Sequence, residues 1–391
     1  MKRAASVMLI LAVFCLFTAC GHPAQQSGPQ PGQAPAAQSA PPTPVPTPYP
    51  ANMLTGLPQG PDYPGDQRIA AVMVNNFEGC RPQRGLSEAK ILFEIRVEGG
   101  ISRFMGLYNS CGQVPEIGPL RSGRDQFFRL ILPWQPVYVH IGESEIQSEY
   151  IRSYQYDEWN IEGLHDAYWR HDKTRLNLEG EHPAIEHTAY TDGTRLEDYM
   201  TRKLVDTVRV YNSPFFNFAS SGRQLQGEPA ARVTVQHSGR YRSRFLYDAE
   251  QSRYCMSQFY SPAGVYMDTV DENNGKQLAF DNLMILFTDI HPYPGHEKSD
   301  LQYVEYSWGG VGFYCHGGTA ERIRWEKGTD LQALRLCSEA TGELLEVNPG
   351  TSYVAVVDVD EAEHFVLEAA QQFAPDRPES LPEETEFEGE R

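Results

Sequence analysis

The first fifty residues of this 391-residue chain constrain its architecture most, because they lack the means to join a packed fold. Lys2 and Arg3 precede an apolar stretch from about Ala4 to Phe17, too short to span a bilayer. Small residues then lead to a cysteine in the run Leu16-Phe17-Thr18-Ala19-Cys20. A cationic start, a short apolar core and a cysteine at the cleavage boundary describe a bacterial lipoprotein signal over residues 1–20. On that reading Cys20 becomes the first mature residue and carries an acyl lipid of the palmitate kind, so the chain is tied to the membrane through its N-terminus. Phe17 is bulkier than the leucine usual at its position. The alternative is an ordinary secretory signal with Cys20 an incidental thiol.

Residues 21–51 are built almost wholly from Pro, Gln, Ala, Ser, Gly and Thr. Such a stretch buries too little apolar surface to offset its ordering entropy and is expected to stay disordered. Its proline-rich end favours polyproline II, which at about 3.1 Å per residue reaches up to roughly 90 Å. The expected arrangement is a folded module held away from the extracytoplasmic face of the cell membrane.

About 340 residues remain, enough for two ordinary domains. Removing Lys2 and Arg3 with the signal carries the formal charge of −19 to about −21, which argues against nucleic acid as a partner and against adsorption to an anionic membrane surface. Much of the excess lies in the acidic run Pro375–Arg391. Five cysteines remain in the mature body: Cys80, Cys111, Cys255, Cys315 and Cys337. Outside the membrane disulfides are permitted, and an odd count leaves at least one thiol over. One bridge per half, Cys80 with Cys111 and two of the last three, is one arrangement, but connectivity is not readable from sequence. No C-x-x-C or histidine spacing points to zinc, and no metal or cofactor is expected.

The apolar run Arg68–Asn75 predicts a strand buried on both faces. Ile91–Val97 and Ile101–Asn109 flank Glu98-Gly99-Gly100 as a hairpin. A helix is expected over Arg121–Leu132, a strand over Pro136–Ile141 and a helix over Ser144–Arg152. Thr194-Arg195-Leu196-Glu197 reads as a capping box opening another helix. From Val210 onward short strands and turns dominate, with Asn274-Gly275 and Gly317-Gly318 as hairpin turns, and Ala362–Phe373 is expected to close the chain as a helix. The expected fold class is α+β. A layered α/β domain with a mixed sheet (52–208) precedes a smaller mostly-β domain (209–358), and residues 359–391 form a helix and acidic tail.

The order of motifs resembles the YerB-like bacterial lipoproteins, a family with two consecutive conserved domains of unassigned function. The stretches that carry the resemblance include NMLTGLP (52–58), AAVMVNN (70–76), RPQRGLSEA (81–89), IGPLRSGRDQF (117–127) and VYVHIGES (137–144). FDNLMILF (280–287), GGVGFY (309–314) and LEVNPG (345–350) follow in the second domain. Where the family has His-Asn-Leu-Tyr-Thr, this chain has His187-Thr188-Ala189-Tyr190-Thr191. Where the family has Gly-Gly-Ser, it has Gly142-Glu143-Ser144. The resemblance implies the lipid anchor and the two-domain layout, and no reaction.

Several constellations could carry chemistry. Gly118-Pro119-Leu120-Arg121-Ser122-Gly123-Arg124 leads into a predicted helix, where free amides and bidentate arginines suit an anion. With Arg103, the residues Arg121, Ser122 and Arg124 form the candidate ligand site, and Arg81 and Arg84 add to the cluster. The competing expectation is an internal network pairing Arg121 and Arg124 with Glu94 or Glu98. His140, with Ser144, His187 and Asp166 or Asp172, could be arranged as base, nucleophile and orienter, but no nucleophile elbow surrounds them. Glu94, Glu98, Glu143 and Glu145 could offer a carboxylate pair. Trp308, Phe313, Tyr314 and Trp325 could form an aromatic platform or a core. These observations favour a non-catalytic, lipid-anchored binding or scaffold protein of the cell envelope, holding a partner protein or an anionic wall component. An envelope hydrolase acting through His140, Glu98 or His187, and a solute-binding lipoprotein, are the rival readings.

Overall fold

Ala70–Asn75 (β1) is buried at every position, as its unbroken apolar run predicts, and its side chains divide between two cores. Ala70, Val72 and Val74 enter one, Ala71 and Met73 the other, the two-residue period of a strand covered on both faces. In this computed structural model, residues 49–157, 159–170, 175–370 and 373 are described. Cys20, the proline-rich run up to Pro48, His171, Asp172 and the acidic tail lie outside them. The described residues fall within the unit Pro46–Arg391.

Ile91–Arg96 (β2) and Ser102–Tyr108 (β3) form the expected antiparallel hairpin. Gly99 and Gly100 turn it with φ of 66° each, a conformation only glycine adopts freely. Val137–His140 (β4) runs parallel to β1, and Trp159–Asn160 (β5) closes that edge. The helices are Asp125–Ile131 (α1), Glu145–Tyr154 (α2) and Gly193–Lys203 (α3). The later strands are Arg232–Gln236 (β6), Arg242–Asp248 (β7), Arg253–Tyr260 (β8) and Val265–Asp268 (β9). They continue with Asn282–Thr288 (β10), Gly310–His316 (β11), Thr319–Glu326 (β12), Arg335–Ser338 (β13), Ser352–Asp358 (β14) and Val366–Glu368 (β15).

One sheet of eleven strands runs through both halves in the order β13-β12-β11-β10-β14-β2-β3-β1-β4-β5, with Glu228–Pro229 beside β12. The join is β14, parallel both to β10 and to β2. A second sheet, β9-β8-β7-β6-β15 with Ala279–Phe280 against β8, covers one face. Val233, Val235, Phe245 and Met256 there pack against Val72, Leu92, Ile285 and Ala355. On the other face Phe127, Phe128 and Ile131 of α1 meet Met73, Phe93, Met105 and Val354. The fold is thus α+β with a mixed sheet, and its C-terminal part is mostly β.

Between the two sheets lies a buried acidic side chain. Glu94, on β2, has no exposed surface. Its Oε1 accepts hydrogen bonds from Asn76 Nδ2 (3.2 Å) and Ser102 Oγ (2.5 Å), and its Oε2 from Ser243 Oγ (2.8 Å) and Tyr353 OH (2.6 Å). Those donors sit on β3, β7, β14 and the segment after β1. A second rank follows, because Asn76 Oδ1 accepts from Arg81 Nε, Gln83 Nε2 and Gln258 Nε2. A buried network in which both carboxylate oxygens are satisfied specifies one packing of two sheets.

Several sequence expectations change. The helix expected from Arg121 starts at Asp125, because residues 119–123 are extended and bonded on both sides: Arg121 N donates to Met73 O (3.2 Å) and Gly123 N to Gly142 O (2.9 Å). The cap of α3 is Asp192, whose Oδ1 accepts from Arg195 N (2.9 Å), and not Thr194. A 3-10 helix, Val359–His364, and then β15 stand at the start of the segment expected to be a terminal helix. The disulfide arrangement is also corrected. All five cysteines are free thiols; Cys80 Sγ donates to Phe77 O (2.9 Å) and Cys111 packs into the core.

Two outcomes follow. Glu94→Ala strands four buried donors at about 1–3 kcal/mol each, so it lowers unfolding stability in urea by about 4 kcal/mol or more. Alkylation in urea without prior reductant labels Cys80, Cys111, Cys255, Cys315 and Cys337 alike, and reductant leaves the Tm unchanged.

Candidate functional site

The carboxyl ends of β1, β2 and β4 and the start of β3 meet at one end of the large sheet, the position where open sheets form ligand crevices. The segment Ile117–Gly123 is threaded between them. Asn75 N donates to Pro119 O (2.8 Å), Leu120 N to Ala189 O (2.7 Å) and Ile141 N to Arg121 O (3.2 Å). This lattice brings Arg103, Arg121, Ser122, Arg124, Glu98 and His187 to the same edge.

The arginines divide by what they find there. Arg124 Nε meets Glu98 Oε1 at 2.5 Å, and its Nη1 donates to Gly123 O (2.7 Å). Burial pushes the Glu98 carboxyl up, but the charges of Arg124 and Arg103 and the Arg124 hydrogen bond outweigh it and hold its pKa below the usual range. Arg103 is buried on β3, where Nη1 donates to Ser122 O (2.6 Å) and Nε has no acceptor. Burial first, then repulsion from Arg124 only partly offset by Glu98, and a further push from Arg121, bring its pKa down to about 9. The half-buried Arg121 side chain has no hydrogen-bond or ion-pair partner among the described residues. Arg124 and Arg103 therefore share the Glu98 carboxyl, and Arg121 adds a third positive charge beside Arg103.

The nearby basic residues are structural by contrast. Arg84 pairs with Glu116 and with Glu272 (2.9 Å), and Arg175 shares Glu272 (3.1 Å). Arg81 bonds Asn76 and the Phe259 carbonyl (3.0 Å), tying the first half to β8. The helix N-terminus contributes nothing to anion binding, because α1 is a short helix whose first position is taken by the buried carboxyl of Asp125.

The catalytic candidates are likewise accounted for. His140 is fully buried, its Nδ1 donating to Gly142 O (2.8 Å) and its Nε2 facing Gln147 Nε2 (3.3 Å). Ser144 caps α2, its Oγ accepting from Gln147 N (3.2 Å). Asp166 pairs at the surface with Arg202 (3.1 Å). Glu143 accepts from Ser148 Oγ (2.7 Å), and Glu145 lies 3.2 Å from His296. His187 is separate from His140: its Nδ1 is 2.8 Å from Asn75 Nδ2 and its ring stacks on Phe77 at 5.0 Å. Burial and then the Arg121 charge bring its pKa down to about 4. In the second half Tyr314 and Trp325 are core residues and Phe313 is partly buried, whereas Trp308 is 87% exposed.

Sequence reasoning missed Asn75, Phe77 and Asp125. The Asn75-Asn76 pair closing an apolar strand was the available signal, since amides at the end of a buried strand face its crevice. Asp125 is 2% exposed and accepts from Tyr293 OH (2.6 Å). Burial pushes its pKa up to about 6, against the pull of Tyr293 and Arg129.

Against known families, residues 54–206 match the N-terminal domain and residues 233–354 the C-terminal domain of a protein family of unknown function, DUF3048. The chain belongs to this two-domain family, as the ordered motifs implied. It is 26% identical over 302 residues to a Bacillus subtilis (strain 168) protein designated lipoprotein YerB, covering 76% of this chain and 83% of that one. The crystal structure of YerB protein from Bacillus subtilis superposes with a TM-score of 0.66 at 24% identity, over 81% of this chain and 98% of that one. Among the described residues no helix is long and apolar enough to cross a membrane.

Asp125 yields a pH signature. Its carboxyl holds a proton up to about pH 6 when folded, and the unfolded chain loses that proton near 3.8. Stability from this group is present below about pH 4 and is lost as pH rises to 6. Asp125→Asn is therefore level with the parent near pH 4 and more stable by up to about 3 kcal/mol at pH 7, measured by urea unfolding at each pH.

Proposed function

We propose that this protein is a lipid-anchored lipoprotein of the extracytoplasmic membrane face that binds, and does not convert, an anionic component of the cell envelope. That component is a wall polymer or a partner protein, and the role is in envelope or wall maintenance. One observation carries the reading: Arg103 and Arg124 share one carboxyl, Glu98, and Arg121, whose charge Arg103 feels, has no side-chain partner among the described residues. Charge left uncompensated in a chain of formal charge −19 is held at a cost, and an arriving anion repays it through bidentate guanidinium contacts. The signal ending at Cys20 and the lipoprotein designation of the relative support the anchor. The bonds that occupy His140, Ser144 and Glu98 favour binding over hydrolysis.

Titration calorimetry of the mature chain against purified anionic wall fragments tests this. Binding weakens with added salt, and Arg121→Ala weakens it at least tenfold while the Tm stays within about 2 °C, since a half-exposed side chain without partners contributes little to folding. Arg124→Ala lowers the Tm by releasing Glu98. Binding indifferent to Arg121→Ala overturns the reading. So does mass-spectrometric evidence of cleaved fragments that disappears in His140→Ala.

A further inference from the structure

The hydrogen bonds around Asn75 decide which ring nitrogen of His187 carries its proton. Asn75 Oδ1 accepts from Phe77 N at 3.0 Å, so the side-chain amide has one permitted orientation and its Nδ2 must face the imidazole. Nδ2 can only donate. Nδ1 of His187, 2.8 Å away, is therefore the acceptor, and the neutral ring holds its hydrogen on Nε2. Phe77 fixes the ring plane, with centroids 5.0 Å apart and an interplanar angle of 26°. Nε2 has no partner among the described residues. The Leu120 N to Ala189 O bond (2.7 Å) brings the chain of Arg121 alongside the strand that follows His187.

Resting on the anion-binding reading above, we propose that His187 is a neutral Nε2–H donor to the phosphate-type oxyanion attracted by Arg121, and that the site grips this anion equally from pH 5.5 to pH 8. A histidine near an anion usually becomes a cation in acid and tightens the grip. Here the Asn75 amide blocks the nitrogen that would take the second proton. Among the described residues the charged groups acting on the ring are Arg121 on the threaded segment and the exposed Glu186 beside it, while Arg170 nearby is held on the Ile185 carbonyl. Arg121 disfavours ring protonation and Glu186 favours it only weakly. Cys80, which also feels Arg121, is pushed up to about 12 by burial and stays a thiol. Arg103, at about 9, titrates above this window, and Glu98, held below the usual carboxylate range, beneath it.

Inorganic sulfate is the probe, because it keeps both charges throughout the range. Nitrogen-15 NMR of the full mature chain first reads the tautomer without any ligand, and Nε2–H is expected at pH 7. Sulfate affinity by calorimetry is expected to be flat between pH 5.5 and 8 and stronger than that of acetate at equal ionic strength. It falls about tenfold or more in His187→Ala, the loss of one hydrogen bond to a charged acceptor. Asn75→Asp offers Nδ1 an acceptor instead of a donor, so its sulfate affinity becomes pH-dependent, weak at pH 8 and recovering toward pH 5.5. An Nδ1–H tautomer, or parent affinity rising tenfold on acidification, overturns this inference and leaves anion binding standing. Absence of sulfate binding in the parent, with the Nε2–H tautomer intact, overturns the anion site itself and the donor role with it.

Discussion

The four hydrogen bonds to Glu94 are the interaction on which the rest of the structure depends. An acidic side chain on a strand buried on both faces is costly unless each oxygen is satisfied. Here the donors come from three elements of the large sheet and one of the second. Tyr353 can reach Glu94 only if β2 and β14 pair in parallel, and Ser243 only if the second sheet lies across them. One side chain thus ties the register of strands some 260 residues apart in sequence to the stacking of the two sheets. Asn76 extends the constraint outward to Arg81, Gln83 and Gln258, and so to the loop bordering the basic edge.

The same economy explains the division among arginines. Most find a carboxyl or a set of carbonyls across an element boundary, as Arg84 does with Glu272, Arg96 with Asp358 (2.7 Å) and Arg129 with Asp330 (2.8 Å). These pairs join the first half to the second and are structural. Arg121, with no side-chain partner among the described residues, and Arg103, whose Nε lacks an acceptor, depart from that rule at the end of the sheet where the carboxyl ends of β1, β2 and β4 meet. A departure from local polar pairing at a strand-end edge is where function is expected to reside.

Strands, hairpins and turns were legible because their signals are local. Alternation in Val233 and Val235, the unbroken run in β1, and the positive-φ glycines at 317 and 318 each depend on neighbouring residues. The site was legible only in outline. The motif around Arg121 drew attention by its density of polar residues, but the helix placed there was wrong, because long-range bonds to Met73 and Gly142 hold the segment extended. The proposed bridge between Cys80 and Cys111 failed for the same reason: spacing says nothing about which core a thiol enters.

By itself, the amino-acid sequence determined the α+β character, the family, and the list of charged residues available to a site. Periodicity, turn chemistry and composition act over a few residues, so they survive in a linear reading. Only the tertiary structure decided that the two halves share one sheet, which arginines are neutralised, which partners hold His140 and Ser144, and that the Asn75 amide faces Nδ1 of His187. Each of those depends on a partner brought from tens to hundreds of residues away. A buried charge or amide takes its chemistry from whatever donor or acceptor the packing places within about 3 Å.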